Sequence, residues 1–224
     1  MSLKKPGRFH ADAWFAWRPG SGIGRVATGG PAPTVYGGTQ GGAVVRFDIA
    51  KGGVAPGLYV RATHAPGLFA QSDLAAGISA RPIPRIPVRL QAEARATRIG
   101  GETEIRPALI AVSELAPIDL PAGFRLEGYG QAGWVGGRYA TGFVDGQARL
   151  DRAVANVGGA QVRLGAGAWG GAQRFAGRLD LGPSLTLDLQ EAGVPARVSV
   201  DYRVPVAGNA RPGGGVAVTV ATGF

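Results

Sequence analysis

The 224-residue chain has no cysteine, one methionine, two histidines and only three lysines, Lys4, Lys5 and Lys51. Without cysteine there is no disulfide framework, no thiolate metal site and no cysteine nucleophile. Two histidines far apart in sequence do not make a clustered metal centre, so neither metal nor cofactor is expected. No run of eighteen apolar residues occurs, which excludes a transmembrane helix but not membrane strands, whose mark is far weaker. Met1–Arg8 is basic, yet no apolar stretch follows it, so it does not read as a secretory signal. Residues 1–8 are set apart as a leader or cloning-derived segment. Only 17 % of residues are charged, but a mean hydropathy of +0.07 is too apolar for a disordered chain.

What is abundant is glycine, 39 residues, with 16 prolines. These are the two poorest helix formers, so a helical bundle is excluded and an all-β chain remains. The net charge of +9 comes almost wholly from arginine. The arginines are spread singly from Arg8 to Arg211, one to a strand, and form no basic stretch of the kind a nucleic-acid binder presents.

The pattern repeats every two residues. Ala196, Val198, Val200, Tyr202, Val204 and Val206 alternate with Arg197, Ser199, Asp201, Arg203 and Pro205, and Val88–Thr97 and Phe175–Leu189 behave alike. Such alternation marks strands with one apolar and one polar face. About twelve segments show it: Phe9–Trp17, Thr39–Ile49, Leu58–His64, Leu74–Arg81, Val88–Thr97 and Arg106–Leu115 in the first half. Phe124–Trp134, Thr141–Arg152, Gln161–Trp169, Phe175–Leu189, Ala196–Val206 and Gly215–Phe224 follow. In the sixth, Ile110 and Val112 compete with Leu109 and Ala111 for the outer face.

Alternation fits both a soluble sandwich and a closed membrane barrel, which turn opposite faces to solvent. Three features favour the barrel. Arginines and acids match in height on the polar face, as in Arg89/Glu93 and Arg178/Asp180. Glycines lie inside strands, at Gly128, Gly130, Gly133, Gly165, Gly167 and Gly177, where they allow tight curvature. Aromatics near strand ends (Trp14, Trp17, Tyr36, Trp134, Tyr139, Trp169 and Phe175) suit interfacial girdles. The last strand places Val216, Val218, Val220 and Phe224 on one face, which resembles the signal read by the outer-membrane barrel-assembly machinery. The expected fold is a closed antiparallel transmembrane β-barrel of about twelve strands over residues 9–224. An even strand number puts both termini on the periplasmic side, the Arg18–Tyr36 linker outside, and the Pro-rich linkers Arg81–Pro87 and Pro117–Pro121 inside.

The stretches Gly37–Gly42, Phe124–Gly133, Gly165–Gln173 and Asn209–Pro212 resemble the C-terminal barrel of bacterial phage-adsorption protein A, an outer-membrane protein type. Similar barrels end envelope proteins whose N-terminal helical repeats are tied to exopolysaccharide export. The resemblance implies an N-terminal periplasmic repeat domain not included in these residues, and no catalytic residues.

Chemistry is sparse. Alternation turns His10, beside Asp12, and His64, beside Leu58 and Val60, to opposite faces, and no serine among Ser79, Ser113, Ser184 and Ser199 is tied to either. No enzyme activity is expected. Gly20–Gly24 lacks the helix and Lys-Ser/Thr of a phosphate loop and is expected to be a mobile loop. The feature with functional reach is the polar face, where Arg46, Arg61, Arg89, Arg95, Arg125, Arg149, Arg163, Arg178, Arg197 and Arg203 face Asp48, Glu93, Glu127, Asp145, Asp180, Asp188 and Asp201. A modestly positive lumen would contact anions such as acidic saccharides; equally, the pairs could fill the interior in place of an apolar core. The expected role is a Gram-negative outer-membrane anchor and anion or saccharide passage of a larger envelope protein, with surface loops for reception. Its partners would be outer-membrane lipid and lipopolysaccharide and the barrel-assembly machinery, not nucleic acid. The alternatives are a soluble or surface β-sandwich that binds carbohydrate, and a barrel enzyme with a rim active site.

Overall fold

The alternating segments become strands, and the strands close on themselves. The computed structural model describes residues 7–19, 38–50, 52–67, 70–138, 140–191, 194–210 and 213–223. The first six strands are β1 (Phe9–Trp17), β2 (Gln40–Asp48), β3 (Gly57–Ala65), β4 (Gln71–Ala80), β5 (Val88–Ile99) and β6 (Glu102–Ser113). The short β7 (Ile118–Asp119) and a 3-10 turn (Pro121–Gly123) lead to β8 (Phe124–Val135) and β9 (Thr141–Val157). Then come β10 (Ala160–Gln173), β11 (Ala176–Glu191), β12 (Val194–Gly208) and β13 (Gly215–Gly223). Every long strand pairs antiparallel with its neighbours. β6 skips the two-residue β7 to pair with β8, and β13 returns to β1 with Phe15 opposite Val220. The wall is therefore a closed antiparallel barrel of twelve long strands, and closure leaves no open sheet edge among them.

Two glycine pairs set the register at opposite rims. Gly100–Gly101 joins β5 to β6 and Gly158–Gly159 joins β9 to β10, all four with positive φ. Two-residue hairpins of this type need φ > 0 at both positions, which glycine adopts without strain. The start of β1 and the end of β13 lie at the rim that also carries Gly158–Gly159. The opposite rim carries Gly100–Gly101 and both roots of the 18–39 connection.

The distribution of polarity is the reverse of a soluble core. The fully buried side chains include Asp151, Asp180, Asp201 and Thr186, while Ile105 is 75 % exposed and Ile78 61 %. Exposed Val45, Leu58, Val60, Leu74, Leu90 and Leu109 continue the apolar band around the outside. A nine-residue strand such as β3 rises about 30 Å, or about 23 Å when tilted ~40°, which matches the ~25 Å apolar band of a membrane barrel. In β6 the ambiguity resolves cleanly: Leu109 is exposed, and Ala108 and Ile110 are buried inside.

The aromatic expectation holds for some residues only. Trp17, Trp134 and Phe175 are exposed outside, the last in the Arg174–Phe175 turn with positive φ. Trp14 and Trp169 instead point inward. A Cβ on Gly42 would meet the Trp14 ring at 3.1 Å, and one on Gly167 would overlap the Trp169 ring. These two glycines make room for lumen indoles, a use that curvature alone does not explain. Tyr36 and Tyr139 lie outside the described residues.

Candidate functional site: the charged lumen

The ten arginines of the polar face point inward, and each is ion-paired. Arg61 and Arg95 meet Glu93 at 2.6 and 2.7 Å, with the Tyr59 hydroxyl donating to the same carboxylate at 2.8 Å. Arg203 and Arg149 meet Asp201 at 3.1 and 3.2 Å, and Ser184 donates to it at 2.7 Å. Trp169 lies between these two guanidiniums, 4.5 Å from Arg203 and 5.9 Å from Arg149. Arg178 and Arg18 share Asp180. Arg163 binds Asp151 at 2.6 Å. Arg125 and Arg197 link Glu127 and Asp188 into one four-membered network. Arg89 and Arg81 converge on Glu114, and Arg46 on Asp12.

The strands explain why these partners meet. Inward residues recur every second position and neighbouring strands lie ~4.8 Å apart. An arginine therefore meets a carboxylate on its own strand, as Arg95 meets Glu93, or one or two strands away, as Arg163 meets Asp151 and Arg61 meets Glu93. Other pairs reach three or four strands across the narrow lumen, as in Arg149–Asp201, Arg125–Asp188 and Arg197–Glu127. Planar guanidinium forks suit such shared, partly dehydrated contacts better than lysine would, which accounts for the arginine-rich composition. Outside the strands, burial raises the Glu114 carboxyl, but hydrogen bonds from Arg89 and Arg81 outweigh it and hold the group below the usual carboxylate range. Burial lowers Arg18, partly offset by its hydrogen bond to Asp180.

The expected positive excess shrinks. Arg18, Arg81 and Arg106 join the lumen, but so do five acids: Asp12, Asp73, Glu104, Glu114 and Asp151. Among the described residues, the other arginines, Arg8, Arg85, Arg98, Arg138, Arg152 and Arg174, are exposed toward the rims. The filling is also uneven. Asp151, Asp180 and Asp201, on β9, β11 and β12, are sealed. On the other side, Asp12 and Arg46 keep side-chain exposures of 41 and 34 %, and inward-facing Tyr129 is 41 % exposed. The lumen is packed with ion pairs against β9–β12 and open to solvent beside β1, β2 and β8.

The histidines part as alternation requires. His10 faces inward, 3.2 Å from Asp48. His64 faces outward, and its Nδ1 lies 2.9 Å from Ser72 Oγ, a serine that the sequence reading did not single out. Among the described residues no carboxylate hydrogen-bonds His64, so the pair lacks the orienting acid of a triad. On β13, Val216 and Val220 are exposed on the outer face, with Val218 half-buried beside them; Phe224 lies outside the described residues.

A closed barrel with a charged interior and an apolar exterior defines a β-barrel of the outer-membrane type. No protein-family model matches the chain, and no curated protein is similar to it in sequence. Its fold is similar to a bacterial polysaccharide outer membrane secretin, with a TM-score of 0.50 and 10 % identity over 96 % of this chain and 97 % of that one. It is also similar to the beta domain of the Bordetella autotransporter Brka (TM-score 0.48, 14 % identity, 97 % and 98 % covered) and to LpxR from Salmonella typhimurium (0.47, 10 %, 96 % and 99 %). At these identities the likeness bears on fold alone, and of the three only the secretin reaches a TM-score of 0.5.

Proposed function

We propose that the chain is the outer-membrane anchor of a larger Gram-negative envelope protein, without catalytic activity. Its lumen is a narrow, nearly charge-balanced passage for small anions or acidic saccharide units. The single observation that carries the anchor is inverted polarity: Asp201 is sealed inside a wall whose outer face exposes Val60, Leu74 and Ile78. No soluble fold gains from that arrangement, whereas a bilayer does. The passage rests on the open side of the lumen, where Arg46, Asp12 and Tyr129 keep solvent contact. Both ends of the barrel meet at one rim, where Asp12 of β1 pairs with Gly223 of β13, so further domains would hang from that side. A role in exopolysaccharide export or as a phage receptor, as the resemblance implies, would use this passage and the opposite rim.

The test is refolding into detergent micelles, followed by boiled and unboiled samples on an SDS gel and then planar-bilayer conductance. A boiling-dependent mobility shift and a small, weakly anion-selective conductance are expected. A shift with no conductance removes the passage and keeps the anchor. Folding in detergent-free buffer with no shift overturns both.

A further inference from the structure

One row of side chains crosses the outer wall near the rim that carries the 18–39 connection. Gly41 pairs with His64, His64 with Ser72, Ser72 with Arg98, and Arg98 with Thr103. All five face outward, ~4.8 Å apart from strand to strand. One step toward the barrel middle lies a row of Ala43, Ala62, Leu74, Ala96 and Ile105, aligned by the same registers. Polar groups thus give way to apolar ones within two residues on the four successive strands β3–β6, and Gly41 and Ala43 continue the two rows on β2. The small side chains on either side of Leu74 leave a shallow groove of about 600 Å³, bordered by the polar row and by Ala43, Ala62, Leu74 and Ala96.

Arg98 is the unusual member. It is exposed, and among the described residues no carboxylate lies within ion-pairing distance of it. The lumen arginines Arg46, Arg61, Arg89, Arg125, Arg163 and Arg203 are all paired. A cation held at the upper edge of an apolar band lacks its counter-charge in the protein, and the adjoining medium is where an anion must come from. Ser72 and Thr103 flank it with hydroxyls, and His64 adds an imidazole hydrogen-bonded to Ser72 at 2.9 Å.

We infer that this face is a binding site for a phosphate-bearing anionic lipid of the leaflet at this rim, for which phosphatidylglycerol serves as the probe. The phosphate pairs with Arg98 and the hydroxyls of Ser72 and Thr103, and an acyl chain lies in the groove over Ala43, Ala62 and Ala96. The inference rests on the reading that the barrel spans a membrane. Arginine is suited to the headgroup because its fork gives two charge-assisted hydrogen bonds to phosphate. The apolar row below supplies the area against which a chain packs.

The experiment is native mass spectrometry of the folded chain in dodecyl maltoside, titrated with phosphatidylglycerol or phosphatidylcholine. Three variants accompany the wild type: Arg98→Ala, Ala62→Trp, and Arg152→Ala, which removes an exposed arginine at the opposite rim. The wild type is expected to retain phosphatidylglycerol over phosphatidylcholine. Arg98→Ala and Ala62→Trp should each weaken retention about tenfold, and Arg152→Ala should leave it unchanged. Equal retention by Arg98→Ala and wild type overturns the site, as does an equal loss in Arg152→Ala. Each variant is first checked for the boiling-dependent gel shift. If wild type folds in micelles but ignores these substitutions, the lipid site alone fails. If it folds only in buffer, the membrane reading fails with it.

Discussion

Replacing Asp201 by Asn tests whether the buried ion pairs hold the inner wall together. The Asp201 side chain is 0 % exposed and accepts from Arg149, Arg203 and Ser184. Asparagine keeps the shape and removes the charge, leaving two guanidiniums of 8 and 13 % side-chain exposure around the Trp169 ring. Three charge-assisted hydrogen bonds, taken singly, sum to about 4.5–9 kcal/mol. They share one carboxylate and so do not add, and the loss expected on breaking a buried pair, about 3–5 kcal/mol, is the better figure. Asp12→Asn is the matched control, because its pair with Arg46 is partly solvated and is worth at most about 1 kcal/mol. Urea unfolding in lipid vesicles, followed by tryptophan fluorescence, measures both; Trp169 touches the perturbed pair and Trp14 lies on β1 with Asp12. If Asp201→Asn costs no more than Asp12→Asn, the sealed network contributes no more than a surface pair, and the structural reading of the β9–β12 side is wrong.

The strands were legible because a wall between lipid and a charged lumen imposes period two more strictly than a soluble sheet does. Strand number, antiparallel order and the inward set of arginines all follow from that one period. Where residue type was allowed to override parity, the reading failed. Trp14 shares its parity with His10 and Asp12, and Trp169 shares its own with Arg163 and Gly167. Both therefore had to point inward, yet their chemistry suggested an interfacial girdle. Asp12 and Asp151 share the parity of His10 and Arg149 and belong to the inward set; leaving them out, with Asp73, Glu104 and Glu114, is why the interior looks more positive in the sequence than in the structure. The row containing His64 and Ser72 was hidden for a different reason. The fourth strand was expected to start at Leu74, whereas β4 begins at Gln71, opposite Ala65. That closing pair fixes which residues of the hairpin face each other. Nothing local marks it, because Pro66 and Gly67 read as a loop of undefined length.

Two further perturbations probe the rim and the outer wall. Glu114 is held below the usual carboxylate range by Arg89 and Arg81, so its contribution to stability is complete above about pH 4.5 and is lost as pH falls through the depressed folded value. Glu114→Gln should therefore flatten the fall of the urea midpoint below about pH 4.5, and an unchanged slope would refute the linkage. Val60→Arg asks which medium touches the outside. Val60 is 51 % exposed on β3, with Val45 and Ala76 as its paired neighbours. In a soluble protein a substitution at such a site stays within about 0.5 kcal/mol. In a bilayer the same arginine near mid-depth costs about 2–4 kcal/mol, because the charge leaves water. Vesicle-based unfolding that shows a loss under about 0.5 kcal/mol would mean that water, not lipid, surrounds Val60, whatever the sealed acids inside the barrel suggest.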